Sequence, residues 1–308
     1  MEDDSLRLAR LRPNLLRRAL ICDLVRKFFR ELDFLEVETP IRMPAIAPEP
    51  YILPVRSEDW FLCTSPELHM KRMLAAGYER LFQFSRCFRR GERGRWHNPE
   101  FTMLEWYRAG ADYADIIQDT EQLVVNLADR LGFGSCIKYQ QVDIDIRLPW
   151  PRLAVRDAYI KSAGWDPVKD FDPVRFDTDF VTKVLPEFAS NRPTVLVDYP
   201  APVASLARLK SSDHRLAERA EVFFGGLELA NAYSELIDAA EQENRFKEAI
   251  EQIKREQNVS QSLPHRFLEA VPHLPPCGGI ALGVDRLVML LCDAASIDEV
   301  IAFSVDNA

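Results

Sequence analysis

Apolar side chains recur at helical spacing from Leu16 through Leu20 and Leu24 to Phe28. This predicts an amphipathic helix opening after Pro13 and Asn14. Asp33 follows it, and aspartate tolerates the left-handed conformation in which many helices end. FLEVETP (34–40) reads as a strand stopped by Pro40. Residues 45–61 are proline-rich and predict a loop. In TSPELHMKRMLAAGY (64–78), Thr64 or Ser65 can cap a helix and Pro66 fits its first turn. LFQFSRCFR (81–89) and EFTMLEWYR (100–108) predict two strands of an antiparallel hairpin with a long polar loop. A helix follows over Asp115–Leu131, then a mixed insertion at about 134–200 that ends in the strand PTVLVDYP. Two strands flank Gly225-Gly226, ENRFKEAIEQIKREQ reads as a charged helix, and GGIALGVDRLVMLLC as a glycine-rich strand entering a helix. No repeat, low-complexity tract or linker divides residues 1–308, so a single domain is expected.

Composition narrows the classes. A 47% hydrophobic chain of 308 residues can bury a large core, and its net charge of −9 argues against a broad nucleic-acid-binding face. A small basic pocket is still compatible with that charge. The six cysteines form no C-x-x-C pair and the five histidines no metal-ligand spacing, which disfavours zinc and a disulfide framework. The charged start MEDDSLRLARLR lacks a signal-peptide core, and no run of about 18 apolar residues is present. A cytoplasmic protein is expected, with no membrane association.

Three segments carry candidate chemistry. In the hairpin, alternation puts Phe101, Met103, Glu105 and Tyr107 on one face and Gln83, Ser85, Cys87 and Arg89 on one face of the partner strand. That polar face is either a cleft floor or an internal Arg–Glu pair. In GLELANAYSEL, strict alternation places Glu228 with Ala230, Ala232 and Ser234, and Asn231, Tyr233 and Glu235 opposite. Such acids suit magnesium beside a nucleotide or a solvated strand. Gly279, Ala281 and Gly283 mark a strand that something approaches closely, and Arg286 opens the helix after it.

Together these segments resemble, in order, motifs 1, 2 and 3 of the class II aminoacyl-tRNA synthetases: FLEVETP, FRRGERGRWHNPEF and GIALGVDRL. TSPELHMKRML, HNPEFTMLEWY, LELANAYSEL and EVIAFSVD are similar to the lysine-specific branch. The resemblance implies an α+β fold with an antiparallel sheet flanked by helices, and a homodimer built on motif 1. Lysine enzymes that charge tRNA carry an N-terminal anticodon-binding domain. With motif 1 opening near residue 14, no anticodon recognition is expected, and the chain resembles truncated relatives that attach (R)-β-lysine to elongation factor P.

By that resemblance, Arg89 grips the α-phosphate of ATP and Arg286 the γ-phosphate, and these two are the catalytic candidates. Arg90, Gly91, Asn98, Phe101, Glu228, Leu229 and Gly283 complete the ATP site, while Glu221 and Glu228 hold Mg2+. Lysine or (R)-β-lysine is expected against Ser65, Pro66, Glu67, Glu105, Tyr107, Asn231, Tyr233, Glu235 and Ala281. Ala281 stands where tRNA-charging members have glycine, and its methyl is expected to reshape the pocket. Gly91 departs from the family, which keeps a motif 2 glutamate there; the nearest acid is Glu92. The implied activity is ATP-dependent, AMP-forming ligation of lysine to a protein lysine. Transfer to tRNA or another acceptor, or a silent lysine- or nucleotide-binding paralogue, are the alternatives.

Overall fold

The computed structural model describes residues 4–308. Its centre is a sheet of nine strands: β1 (Leu35–Glu36), β2 (Arg80–Phe88), β3 (Glu100–Ala109), β4 (Arg152–Ala154), β5 (Thr194–Pro200), β6 (Leu209–Lys210), β7 (Asp213–Phe224), β8 (Leu227–Ser234) and β9 (Cys277–Gly283). They lie in the order β1-β2-β3-β9-β8-β7-β5-β4, with β6 beside β7. The body is antiparallel, but β1 runs parallel to β2 and β4 parallel to β5. The sheet is therefore mixed rather than purely antiparallel. Residues 134–200 supply β4 and β5, and the segment's helices pack beside that end of the sheet.

The helices used below are α1 (Asp4–Glu31), α2 (Glu67–Ala75), α3 (Tyr113–Arg130), α4 (Val155–Ala163), α5 (Pro173–Asp179), α6 (Ala239–Gln257) and α7 (Val284–Cys292). α1 differs from expectation in two ways. It begins ten residues earlier and continues through Pro13. Contacts on both sides of the proline hold it: Leu11 is buried, Arg7 Nη1 donates to Ala302 O (2.8 Å) and Asn14 Nδ2 to Glu299 O (3.0 Å). Its buried stripe is Ile21, Val25, Phe28 and Phe29, whereas Leu16 and Leu20 are exposed. Asp33 turns the chain out of α1 at φ 60°, the left-handed region. The FLEVETP strand shrinks to two residues, extended by one bond from Val37 N to Phe82 O (2.9 Å). α3 begins at Tyr113, two residues before the expected Asp115, with Asp112 and Asp115 forming a capping box.

One face of the sheet closes the main core. Ala220, Ala232, Ile280, Trp106 and Phe82 stand side by side across β7, β8, β9, β3 and β2. All five are buried against α1, α3 and α7 side chains such as Phe29, Ile116 and Leu287. Arg18 of α1 meets Asp285 of α7 at 2.6 Å, and Asp285 Oδ2 also accepts from Thr102 N (2.8 Å). This nearly buried tie links α1, β3 and α7. Among the described residues, no helix is long and apolar enough to cross a membrane.

Candidate active site

The other face of the same strands is polar. Glu221, Asn231, Ala281, Glu105 and Gln83 form one transverse row, and Arg219, Tyr233, Gly279, Tyr107 and Leu81 the next. Period-2 alternation requires this, because each residue neighbours a core-facing one. Asn231, Ala281 and Glu105 of the first row and Tyr233 and Tyr107 of the second line a cleft.

Glu228 does not follow the expected alternation. Val222 pairs with Ala230, but Phe223 pairs with Glu228, so Leu229 is an extra residue in β8. This bulge flips the register. Glu228 consequently leaves the core-facing set of Ala230 and Ala232 and joins the cleft wall.

One end of the cleft is acidic. Glu105 is 1% exposed, and accepts from Ser65 Oγ (2.6 Å) and Tyr107 Oη (2.8 Å). Ser65 Oγ also accepts from Glu67 N (3.1 Å), which fixes the start of α2 beside Glu105. Burial raises the Glu105 carboxyl to about 8, Glu67 adds to the rise, and the Ser65 and Tyr107 hydrogen bonds oppose it. Glu235 rises to about 7, again through burial, with Lys71 opposing. Glu67 Oε1 and Asn231 Oδ1 are buried without a hydrogen-bond partner, and both residues line the cleft. Unpaired buried acceptors are costly unless a ligand donor meets them. Gly279 allows the close fit here, since a Cβ would collide with the Tyr107 ring and Glu235 Oε1.

The opposite end is basic. Arg89 stacks over Phe101, with its guanidinium carbon 5.2 Å from the ring centroid. Its Nη1 lies 3.6 Å from Glu92, and its buried Nε has no partner. Arg286 Nη1 donates to Glu228 O (2.9 Å) and lies 3.7 Å from the Glu228 carboxylate, while Nη2 meets His97 Nε2 at 2.6 Å. Burial and then Arg286 lower the His97 pKa, so a neutral ring accepts this bond. Gly283, Leu229, Asn98 and Phe101 line this end. The Asn98 amide is already engaged, donating to Glu100 O (2.6 Å) and accepting from Val305 N (3.0 Å), so it braces the loop and the C-terminal segment.

Of the expected site residues, Pro66, Arg90, Gly91 and Glu221 lie off the cleft lining. Pro66 is buried at the N-cap of α2 and Arg90 is exposed. Gly91 has φ +84° and open space around it, so an L-residue there would strain this turn. The acid beside Arg89 is Glu92, which does line the cleft. Glu221 sits in the floor row, 2.6 Å from Arg219 Nη2. Glu49, Glu92, Trp96 and His97 line the cleft without having been expected. Glu49 lies in the proline-rich loop, where no periodicity points to a face. Its carboxyl is raised to about 7 by burial and by Glu67, with Arg89 and Arg219 opposing.

A magnesium ion is compatible with the donors present. Glu221 and Glu228 share the cleft face through the bulge, and burial followed by Glu221 raises the Glu228 pKa. A cation between them relieves that repulsion. No cluster of three or more metal-ligating side chains occurs among the described residues. Magnesium typically takes only one or two carboxylates and completes its shell with water and phosphate.

This bipolar cleft lies on the antiparallel strands of the mixed sheet, with the motif order described above. The chain belongs to the class II tRNA synthetases of the D, K and N group, whose family model matches residues 4–307. Within that class its similarity is to particular ligases. It is 40% identical to the elongation factor P–(R)-β-lysine ligase of Salmonella paratyphi A, over 96% of each chain. The ligase of the same description from Salmonella arizonae is 39% identical over the same shares.

Proposed function

We propose that this protein activates (R)-β-lysine or lysine with ATP and transfers the aminoacyl group to a lysine side chain of elongation factor P. The polarity of the cleft carries this reading: guanidinium groups at one end, a carboxylate cage at the other. A triphosphate fits the first and a diamino acid the second, which brings the substrate carboxylate toward the α-phosphate between them.

The substrate carboxylate is already ionised, so no general base is needed for adenylation. Its oxygen bonds to the α-phosphorus and pyrophosphate leaves. Arg89 then offers free donors to charge developing at phosphorus, and Arg286 holds the far phosphate. Glu221 and Glu228 would hold Mg2+, which supplies neutralisation of phosphate charge. In the second step the acceptor ε-amine bonds to the acyl carbon, loses a proton and AMP leaves. At the acidic end Glu105, Tyr107 and Glu235 take the distal ammonium, and Glu67 with Asn231 the proximal one. The Ala281 methyl, between Asn231 and Glu105 in the floor row, favours the β-amino isomer.

The exposed Leu16 and Leu20 of α1 give a homodimer an apolar contact. We take the chain as one catalytic unit working in the cytoplasm. The test is ATP–pyrophosphate exchange, which (R)-β-lysine should stimulate more than α-lysine. Equal or absent stimulation by (R)-β-lysine would count against the proposal.

A further inference from the structure

The acidic cage contains a resident cation with no part in the roles above. Lys71 stands one helical turn after Glu67 on α2, and its side chain is 2% exposed. Its Nζ lies 2.6 Å from Glu235 Oε2 and 3.4 Å from Glu67 Oε2, and 5.8 Å from the Tyr107 ring centroid. Burial pulls its pKa down, but Glu235 and Glu67 outweigh that and hold it charged. Lys71 does not line the cleft, whereas Glu67 and Glu235 both do. Each acid turns one oxygen toward Lys71. For Glu67 the other oxygen, Oε1, is buried and unpartnered.

The charge count gives this arrangement a consequence. Glu67, Glu105 and Glu235 are all buried, and with all three ionised, as a bound diammonium ligand makes them, the cage including Lys71 carries two net negative charges. An amino acid with two ammonium groups neutralises that charge. One with a single ammonium leaves a buried carboxylate unpaired, which is strongly unfavourable. Without Lys71 the same ionised cage would hold three negative charges, and Glu67 and Glu235 would lose the cation that ties them together.

We propose that Lys71 is a positioning residue that sets amino-acid specificity: it ties Glu67 to Glu235 and trims the cage to the charge of a diammonium substrate. This rests on the reading that the acidic end receives lysine or β-lysine.

The test compares the unaltered protein with Lys71→Met and Lys71→Ala in ATP–pyrophosphate exchange. Lys71→Met is expected to raise the KM for the amino acid by about 10-fold or more, with the KM for ATP unchanged and kcat within about 3-fold. In Lys71→Ala, added propylammonium is expected to lower the amino-acid KM toward the wild-type value, while 1-propanol of similar volume does not. Should Lys71→Met fail to fold, Lys71→Ala purified with propylammonium and then dialysed carries the same comparison. An unchanged amino-acid KM in an active variant, or equal rescue by propanol, overturns the inference alone. A wild type with no lysine-dependent exchange overturns the reading beneath it, and this inference with it.

Discussion

Replacing Glu105 by Gln tests the acidic cage where its electrostatics are most extreme. The Glu105 carboxyl is raised from 4.5 to about 8 in the folded, empty protein, chiefly by burial. That gap corresponds to roughly 5 kcal/mol between the two protonation states, taken as an upper bound. The sign follows from linkage. The native state keeps this proton to higher pH than the unfolded chain does. The empty protein therefore loses stability as pH rises from about 4.5 to about 8, and the loss levels off above that. About 3 kcal/mol of it is already in force at pH 7. Glutamine keeps the Ser65 bond and has no charge to bury, so the variant should lack this loss. Urea or thermal melts of the empty proteins at pH 5.5, 7 and 8.5 should show the variant gaining on wild type as pH rises. The gain should be roughly 1.5 °C per kcal/mol for a chain of this size. Lysine binding should move the opposite way, with the variant weaker by about 100-fold through loss of a buried charge pair. In the wild type, a bound diammonium ligand forces Glu105 to ionise, so affinity should climb toward pH 8 with proton release seen calorimetrically. Parallel stability curves for the two proteins across this pH range would refute the account of the cage.

Arg89→Ala should reduce ATP–pyrophosphate exchange by roughly 100-fold or more, as loss of one charge-stabilising donor does elsewhere. Gly279→Ala should abolish amino-acid binding while ATP still binds, measured by calorimetry, because the added methyl collides with Tyr107 and Glu235. Arg18→Met should destabilise the fold by about 3–5 kcal/mol in urea melts, since it strands the buried Asp285. Gly91→Glu should cost about 1–3 kcal/mol of stability from the positive φ and should not raise exchange activity.

The hairpin of β2 and β3 was legible because its alternation is unbroken, and the register sets Glu105 beside Gln83 and Ala281. The motif order carried the class and placed Arg89, Arg286 and most of the cage on one cleft. The bulge at Leu229 was not legible. One inserted residue changes no composition, yet it moves Glu228 from the core face to the site. The start of α1 was missed for a related reason: proline usually opens a helix, and the turns before it are held by the burial of Leu11 and the distant contact of Arg7 with Ala302. Glu49 escaped notice in a loop without periodicity. Lys71 carried no signal in the sequence, because its burial depends on Glu235, which lies far along the chain.

Mass spectrometry of elongation factor P tests the central claim most directly. Purified factor is incubated with this protein, ATP, Mg2+ and each lysine isomer in turn. The account expects one added lysyl group on a lysine side chain of the factor, dependent on ATP and greater with (R)-β-lysine. An unmodified factor, with lysine appearing instead on tRNA in a parallel reaction, would contradict it.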